Sequence, residues 1–281
     1  MSTLLTGGTS RIGLAIAKRL KAAGKDVIIG TRTPSKVPSE YKHVLLDWED
    51  ASTFGNPFNG TEYQIDNVYI LPPPVAFNML EITKPFIDLA IEKGVKNFVL
   101  LSAAIFEKGG LLAGAIHEYL DSKPNIDYFV LRPTWFTENF LTTQGQSIRE
   151  RGEIVTVVPK GRIPFIAIED IAQAGFEYIT QGSSTKDKVI IGPESLTYSE
   201  VAQILSEIIG KPVTHRAISA EEQEARYTSY GMTLEYAKFL VAEEVKTDGD
   251  TEAALVEKEN KFVGKLSVRD VLEENKAFWS S

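Results

Sequence analysis

Three stretches of this chain carry residue types whose spacing suits chemistry. Residues 6–13 read TGGTSRIG, a glycine-bearing turn of the kind that lets backbone N–H groups and the positive end of a helix meet a pyrophosphate. Gly7 suits the tight turn and Gly13 suits close packing of helix on strand, with Thr6, Gly8, Thr9 and Ile12 completing the loop. The middle glycine of the usual pattern is missing, its place taken by Ser10 or Arg11 depending on the spacing used. Residues 30–36, GTRTPSK, supply Thr31, Arg32 and Lys36 and no acid. An acid there would hold adenosine ribose hydroxyls, whereas a guanidinium suits a 2′-phosphate, so the nucleotide expected is NADP(H). The third stretch holds Tyr119 and Lys123, spaced as Tyr-x-x-x-Lys. Such a pair can protonate a nascent alkoxide, the lysine lowering the pKa of the phenol.

Elements must position these groups. Short apolar runs are expected as strands at residues 3–5, 26–30, 43–47, 67–71, 97–102 and 127–132, with helices near 12–23, 76–93 and 111–122. Runs such as DVIIG and NFVLL are nearly unbroken, as in a parallel sheet covered on both faces, and the right-handed crossover rule then favours a doubly wound α/β Rossmann sheet. Ligands of such sheets lie at the carboxyl ends of the strands. Leu71, Pro72 and Pro73 after the fourth strand and Ser102 after the fifth are therefore expected to border the nicotinamide half, and Asp47 after the third to lie near the adenine. The same geometry moves Tyr119 and Lys123 away. They fall in the last turn of the helix after the fifth strand, and at 1.5 Å per residue should stand about 15–20 Å from the nicotinamide. The positions the pair would need are near Gly110 and Gly114, which carry no proton.

The second half is expected to be smaller and mostly helical, with helix starts marked by Thr197 and Glu200, Ser219 and Glu222, and Ser267 and Asp270. We expect a dinucleotide-binding domain at 1–155 and a substrate-binding part at 156–281, interleaved with it.

Composition excludes several function classes. With 281 residues, 43% hydrophobic and a net charge of −8, the chain can bury a large core but has no basic run to neutralise nucleic-acid phosphates. There is no cysteine, hence no thiol nucleophile, disulfide or thiolate metal site. The three histidines, His43, His117 and His215, are too widely spaced to suggest a metal centre. No apolar run approaches the roughly 18 residues of a membrane span and no signal-peptide pattern precedes the first strand, so a cytoplasmic monomer or homodimer is the expectation.

Taken together, TGGTSRIG, GTRTPSK, YILPPP, HEYL, LRPTWFTENF, FIAIEDIA and LSVRDVLEENKAFW resemble the NmrA-like atypical short-chain dehydrogenases/reductases. Within these the chain is most similar to the ergot-alkaloid branch, the festuclavine and agroclavine dehydrogenases, with the reductase/Diels–Alderases of bicyclic indole alkaloids close by. The resemblance spans nearly the whole chain, LRPTWFTENF being its most specific segment; that branch usually has glycine where Ser10 stands. It implies NADPH and an imine or iminium substrate of indole-alkaloid type, reduced without the Tyr/Lys pair. It also implies that Arg132, and an aspartate near residues 167–170, matter for catalysis; Asp170 is the candidate, which the residues alone read as a helix N-cap. Trp135 and Phe136 are candidates for an aromatic wall around the substrate, Glu138 and Asn139 for its polar contacts. Chemistry agrees with the resemblance, since hydride addition to an iminium carbon yields an amine directly and needs no general acid. Two further readings stay open: an NADP-binding, non-catalytic redox sensor, and an NADP-bound cyclase.

Overall fold

In a computed structural model of the protein, described here for residues 2–60, 64–74, 76–249 and 251–279, the alternation expected from the sequence is present. The strands are β1 (Ser2–Thr6), β2 (Asp26–Thr31), β3 (Lys42–Leu45), β4 (Ile65–Ile70), β5 (Asn97–Leu101), β6 (Asp127–Pro133), β7 (Glu153–Thr156), β8 (Asp187–Ile191), β9 (Thr214–Ala217) and β10 (Lys261–Val263). The helices are α1 (Arg11–Ala22), α2 (Met79–Glu92), α3 (Ala113–Asp121), α4 (Gly145–Arg151), α5 (Ile168–Gln181), α6 (Tyr198–Ile209), α7 (Ala220–Ser229), α8 (Leu234–Lys246), α9 (Thr251–Val256) and α10 (Val268–Glu274).

Eight strands form one sheet in the order β10-β8-β6-β5-β4-β1-β2-β3. The order reverses direction between β1 and β4, which pair in parallel with Leu4 beside Val68 and Leu5 beside Tyr69. This is the doubly wound Rossmann topology, whose switch point is where a ligand crevice opens. The central strands are apolar on both faces because both are covered: Leu4, Leu5, Ile28, Ile29, Val68, Ile70, Phe98 and Leu100 are all fully buried.

By its internal contacts the chain divides into two units, residues 1–132 with 171–188 and residues 133–170 with 189–281. The two units interleave along the chain. The first unit ends within β6 and takes back all but the first turn of α5 and the start of β8, a return that carries no local sequence signal. The second unit holds the two-stranded parallel sheet β7-β9 and a core that includes Phe140, Phe165, Tyr198 and Leu205. The capping boxes at Thr197/Glu200 and Ser267/Asp270 form as expected, and Ser219 caps α7 by accepting from the Glu222 N–H. No described helix is long and apolar enough to cross a membrane. Among the described residues no group of His, Asp and Glu could hold a metal ion.

A buried carboxylate lies between α7 and α8. Glu244 is 6% exposed and accepts from the Tyr227 hydroxyl and from Gln223 Nε2. Burial pushes its pKa up to about 7, against the lowering effect of those hydrogen bonds. The folded protein therefore binds more protons than the unfolded chain between about pH 4.5 and 7, and stability falls as pH rises through that window. At about 1.4 kcal/mol per pKa unit, Glu244→Gln is expected to remove a pH-dependent loss of about 3 kcal/mol. Denaturant midpoints of both proteins at pH 5 and pH 8 check this.

Candidate functional site

The first turn of the chain is built as a phosphate loop would be, with a substitution that works locally. Gly7 has φ +61°, a setting that costs a side-chain-bearing residue energy. Ser10, where a glycine was missing, needs no such freedom: its φ is −67°, and its Oγ accepts from the Gly13 N–H, capping α1. Serine here exchanges an open approach for a cap. The N–H groups of Arg11 and Ile12, in the first helical turn, have no carbonyl one turn back to bond, so the dipole end of α1 stays available. Thr6 ties the two strands that flank the switch point, its hydroxyl donating to the Tyr69 carbonyl and accepting from the Leu71 N–H.

A cleft of about 900 Å³ opens at the carboxyl ends of β1, β2, β3 and β4, within the size range of cofactor sites. Of the residues singled out in the sequence, Gly7, Thr9, Thr31, Arg32, Lys36, Asp47, Leu71, Pro72 and Pro73 line it. Arg32 and Lys36 are exposed and put two cations on its wall. Asp47 also shapes its own turn, its Oδ1 accepting from the Glu49 N–H. Thr6, Gly8, Ser10, Arg11, Ile12, Gly13 and Ser102 are not among the lining residues. Ser102 follows β5 at the same sheet edge, with a buried Oγ that has no hydrogen-bond partner among the described residues.

Sequence reasoning passed over Trp48. It lines the cleft beside Asp47, its indole N–H donates to the Leu71 carbonyl at 3.0 Å, and its ring is held edge-on by Phe54 and Phe86 at 5.8 and 5.4 Å. An aromatic next to a strand-end aspartate, in LLDWED, was the available signal.

Tyr119 and Lys123 are occupied elsewhere. The Tyr119 hydroxyl donates to Asp88 Oδ1 at 2.5 Å and Lys123 Nζ to the same oxygen at 2.8 Å. Burial alone would raise the Asp88 pKa, but hydrogen bonds from Lys123, Lys84 and Tyr119 hold it well below the usual carboxylate range. The pair thus anchors the last turn of α3 to α2. At the other end of α3, Leu112 sits at φ +55° and ψ −124°, a backbone region that normally takes glycine. In the same β5–α3 connection Glu107 engages Arg132.

Arg132 is 5% exposed and spends its guanidinium on protein groups: Asp187 at 3.1 Å, the Ala104 carbonyl at 2.9 Å and Glu107 at 2.6 Å. The second unit treats its candidates similarly. Glu138 Oε1 accepts from the Ile168 N–H at 3.0 Å, so Glu138, and not Asp170, caps the start of α5. Asp170 instead receives the N–H groups of Lys265 and Leu266 at 2.9 and 3.0 Å, fastening the turn after β10. The N-cap reading of Asp170 is corrected accordingly. Trp135 and Phe136 are half-buried; the Trp135 carbonyl accepts from Ile166 and the ring packs on the core of the second unit. Asn139 is half-buried in the short turn Thr137–Phe140.

Known proteins resemble the chain in sequence and in fold. No family model matches the chain. The agroclavine dehydrogenase of Claviceps fusiformis is 37% identical over 295 residues, 99% of each chain. Festuclavine synthase I of Penicillium roqueforti is 37% identical over 267 residues, 91% of each. The structure of Citrobacter sp. triphenylmethane reductase complexed with NADP(H) shares the fold, with TM-score 0.73 and 21% identity, covering 98% of this chain and 100% of that one. With identity at that level across nearly the whole of both chains, this protein belongs to the agroclavine and festuclavine dehydrogenase family of oxidoreductases.

Proposed function

We propose that the protein is an NADPH-dependent reductase of a cationic imine or iminium of indole-alkaloid type, working without a tyrosine proton donor. The observation that carries this is the cleft at the β1/β4 switch point, with Arg32 and Lys36 on its wall. A dinucleotide fits the residues present: the open N–H end of α1 for the pyrophosphate, two cations for a 2′-phosphate, Trp48 for the adenine face, and the orphan Ser102 hydroxyl at the nicotinamide edge. When bound, NADPH supplies the hydride. The names of the relatives, dehydrogenases and synthases of agroclavine and festuclavine, support an alkaloid substrate.

The protein's own part is positioning. Reduction of an iminium needs no proton at the reacting atoms, because the C=N electron pair returns to nitrogen and the positive charge disappears as hydride arrives at carbon. Tyr119 and Lys123, both held by Asp88, are then free to be structural. Trp135 and Phe136, following the carboxyl end of β6, are proposed as the aromatic contact of the cation, with Glu138 and Asn139 beside them in sequence. Arg132 and Asp170 are proposed to act as positioning residues, through the segments they fasten.

The test is single-turnover oxidation of NADPH, followed by its near-ultraviolet absorbance, with cyclic iminium ions and α,β-unsaturated aldehydes. Turnover with an iminium supports the reading. NADPH binding with no turnover across the panel favours a redox sensor, and a ring-forming product with no NADPH consumed favours a cyclase. Tyr119→Phe is expected to keep kcat within about twofold, since removing a general acid would cost about 10²-fold or more. Steady-state rates at several pH values check this, and a large loss of kcat overturns the donor-free mechanism.

A further inference from the structure

A second crevice lies at the opposite, amino edge of the sheet. The register places Thr3 beside Asn67, Asn67 beside Asn97 and Asn97 beside Asp127. Four neighbouring parallel strands therefore present one polar side chain each in a single row, on one face, about 4.8 Å apart. Such a row is unusual in a sheet whose other central positions are apolar, and burying carboxamides has a cost unless they are hydrogen-bonded. Asn67 is 2% exposed, and the one bond its amide makes to a neighbouring side chain is long, 3.4 Å to Thr3 Oγ1.

A cavity of about 220 Å³ lies along this row, bounded by Asn67, Asn97, Asp127 and the last turn of α5 with Gly182. Tyr178, on that turn, lines it while 95% buried, its ring stacked on Phe129 at 4.7 Å. Among the described residues its hydroxyl has no well-formed hydrogen bond, although burial and then the nearby Asp127 hold the phenol pKa up. A buried phenol without a well-formed partner thus belongs to the wall of a cavity that two carboxamides also line.

The chemistry of the walls selects it. The Asp127 carboxylate and the last carbonyls of α5 only accept, while the two carboxamides and the phenol can accept through oxygen or donate. The carbonyl end of a helix also carries partial negative charge. No arginine or lysine lines the cavity, which disfavours an anion. An ammonium already fits the carboxylate: Lys186 Nζ reaches Asp127 Oδ1 at 2.5 Å from outside the cavity. We propose that this crevice is a second ligand site, distinct from the dinucleotide cleft, that binds a small cation rich in N–H donors, of the primary-ammonium class.

The test uses the whole protein and ethylammonium chloride as probe, with tetramethylammonium chloride at equal ionic strength as the control that has charge but no N–H. Amide NMR is expected to show saturable shifts at Gly182 and at the side chains of Asn67 and Asn97 with ethylammonium alone. Tyr178→Phe, which keeps the stack on Phe129, is expected to weaken binding about tenfold, the worth of one hydrogen bond to a charged group. Asn97→Ala is an independent second variant with the same expectation. Lys186→Met, which frees Asp127, is expected to tighten it. Shifts that do not saturate, that are equal for both salts, or that survive both Tyr178→Phe and Asn97→Ala unchanged overturn the proposal and leave a water-filled crevice. Because cofactor turnover is not measured, failure here leaves the reductase reading intact.

Discussion

Replacing Arg32 and Lys36 together by alanine is expected to lower kcat/KM for NADPH about 100-fold while leaving that for NADH within about threefold. Both side chains stand on the wall of the cleft, in a segment after β2, residues 30–36, that contains no acid. A charge-assisted hydrogen bond contributes about 1.5–3 kcal/mol, and exposure to solvent places these two at the low end. Two such contacts then amount to about 3 kcal/mol, roughly two decades at 1.4 kcal/mol per decade. The measurement is the ratio of kcat/KM for the two nucleotides in wild type and variant. Equal losses with both would mean the cations serve the fold or the pyrophosphate and not a 2′-phosphate.

The other large effect is expected at Gly13. A Cβ built there would stand 2.8 Å from Gly8 Cα and 3.0 Å from the Gly7 and Gly8 carbonyl oxygens. Those neighbours are backbone, unable to rotate aside as a side chain would, so α1 must move off the turn. Gly13→Ala is expected to cost about 1–3 kcal/mol of stability, as overpacking does, and to weaken NADPH binding tenfold or more by displacing the helix end from the phosphate. Ser10→Gly offers the contrast. It gives up only the cap to the Gly13 N–H and should cost a few tenths of a kcal/mol. Calorimetric titration with NADPH and denaturant midpoints separate the two. A Gly13→Ala protein as stable and as tight-binding as wild type would refute the close-packed turn.

The sequence was informative where structure is locally encoded. β1, β2, β4, β5 and β6 begin and end within two residues of the apolar runs that announced them, because a strand buried on both faces must be apolar throughout. The capping pairs of α6 and α10 were equally legible, since a cap is a contact over three residues. The position of Tyr119 and Lys123 at the end of α3 followed from helix rise alone. What escaped was long-range. β7 and β9 pair across an intervening stretch that includes α5, β8 and α6, and four-residue strands carry too short a pattern to declare a partner. Glu138 caps a helix that begins thirty residues later, and Asp170 bonds backbone N–H groups ninety-five and ninety-six residues away. Trp48 was visible as a residue but not as part of a cleft, for its meaning depends on Leu71 and Phe86 arriving from other elements.

The way the chain leaves its first unit within β6 and comes back through residues 171–188 bears on how it can be made. On the ribosome the first unit cannot close until residue 188 has emerged, by which time residues 133–170 of the second are already synthesised and waiting for theirs. No single proteolytic cut can release either half intact. A truncation at residue 155 would leave a nucleotide-binding fragment deprived of α5, so a minimal expressible version of this protein has to be nearly all of it.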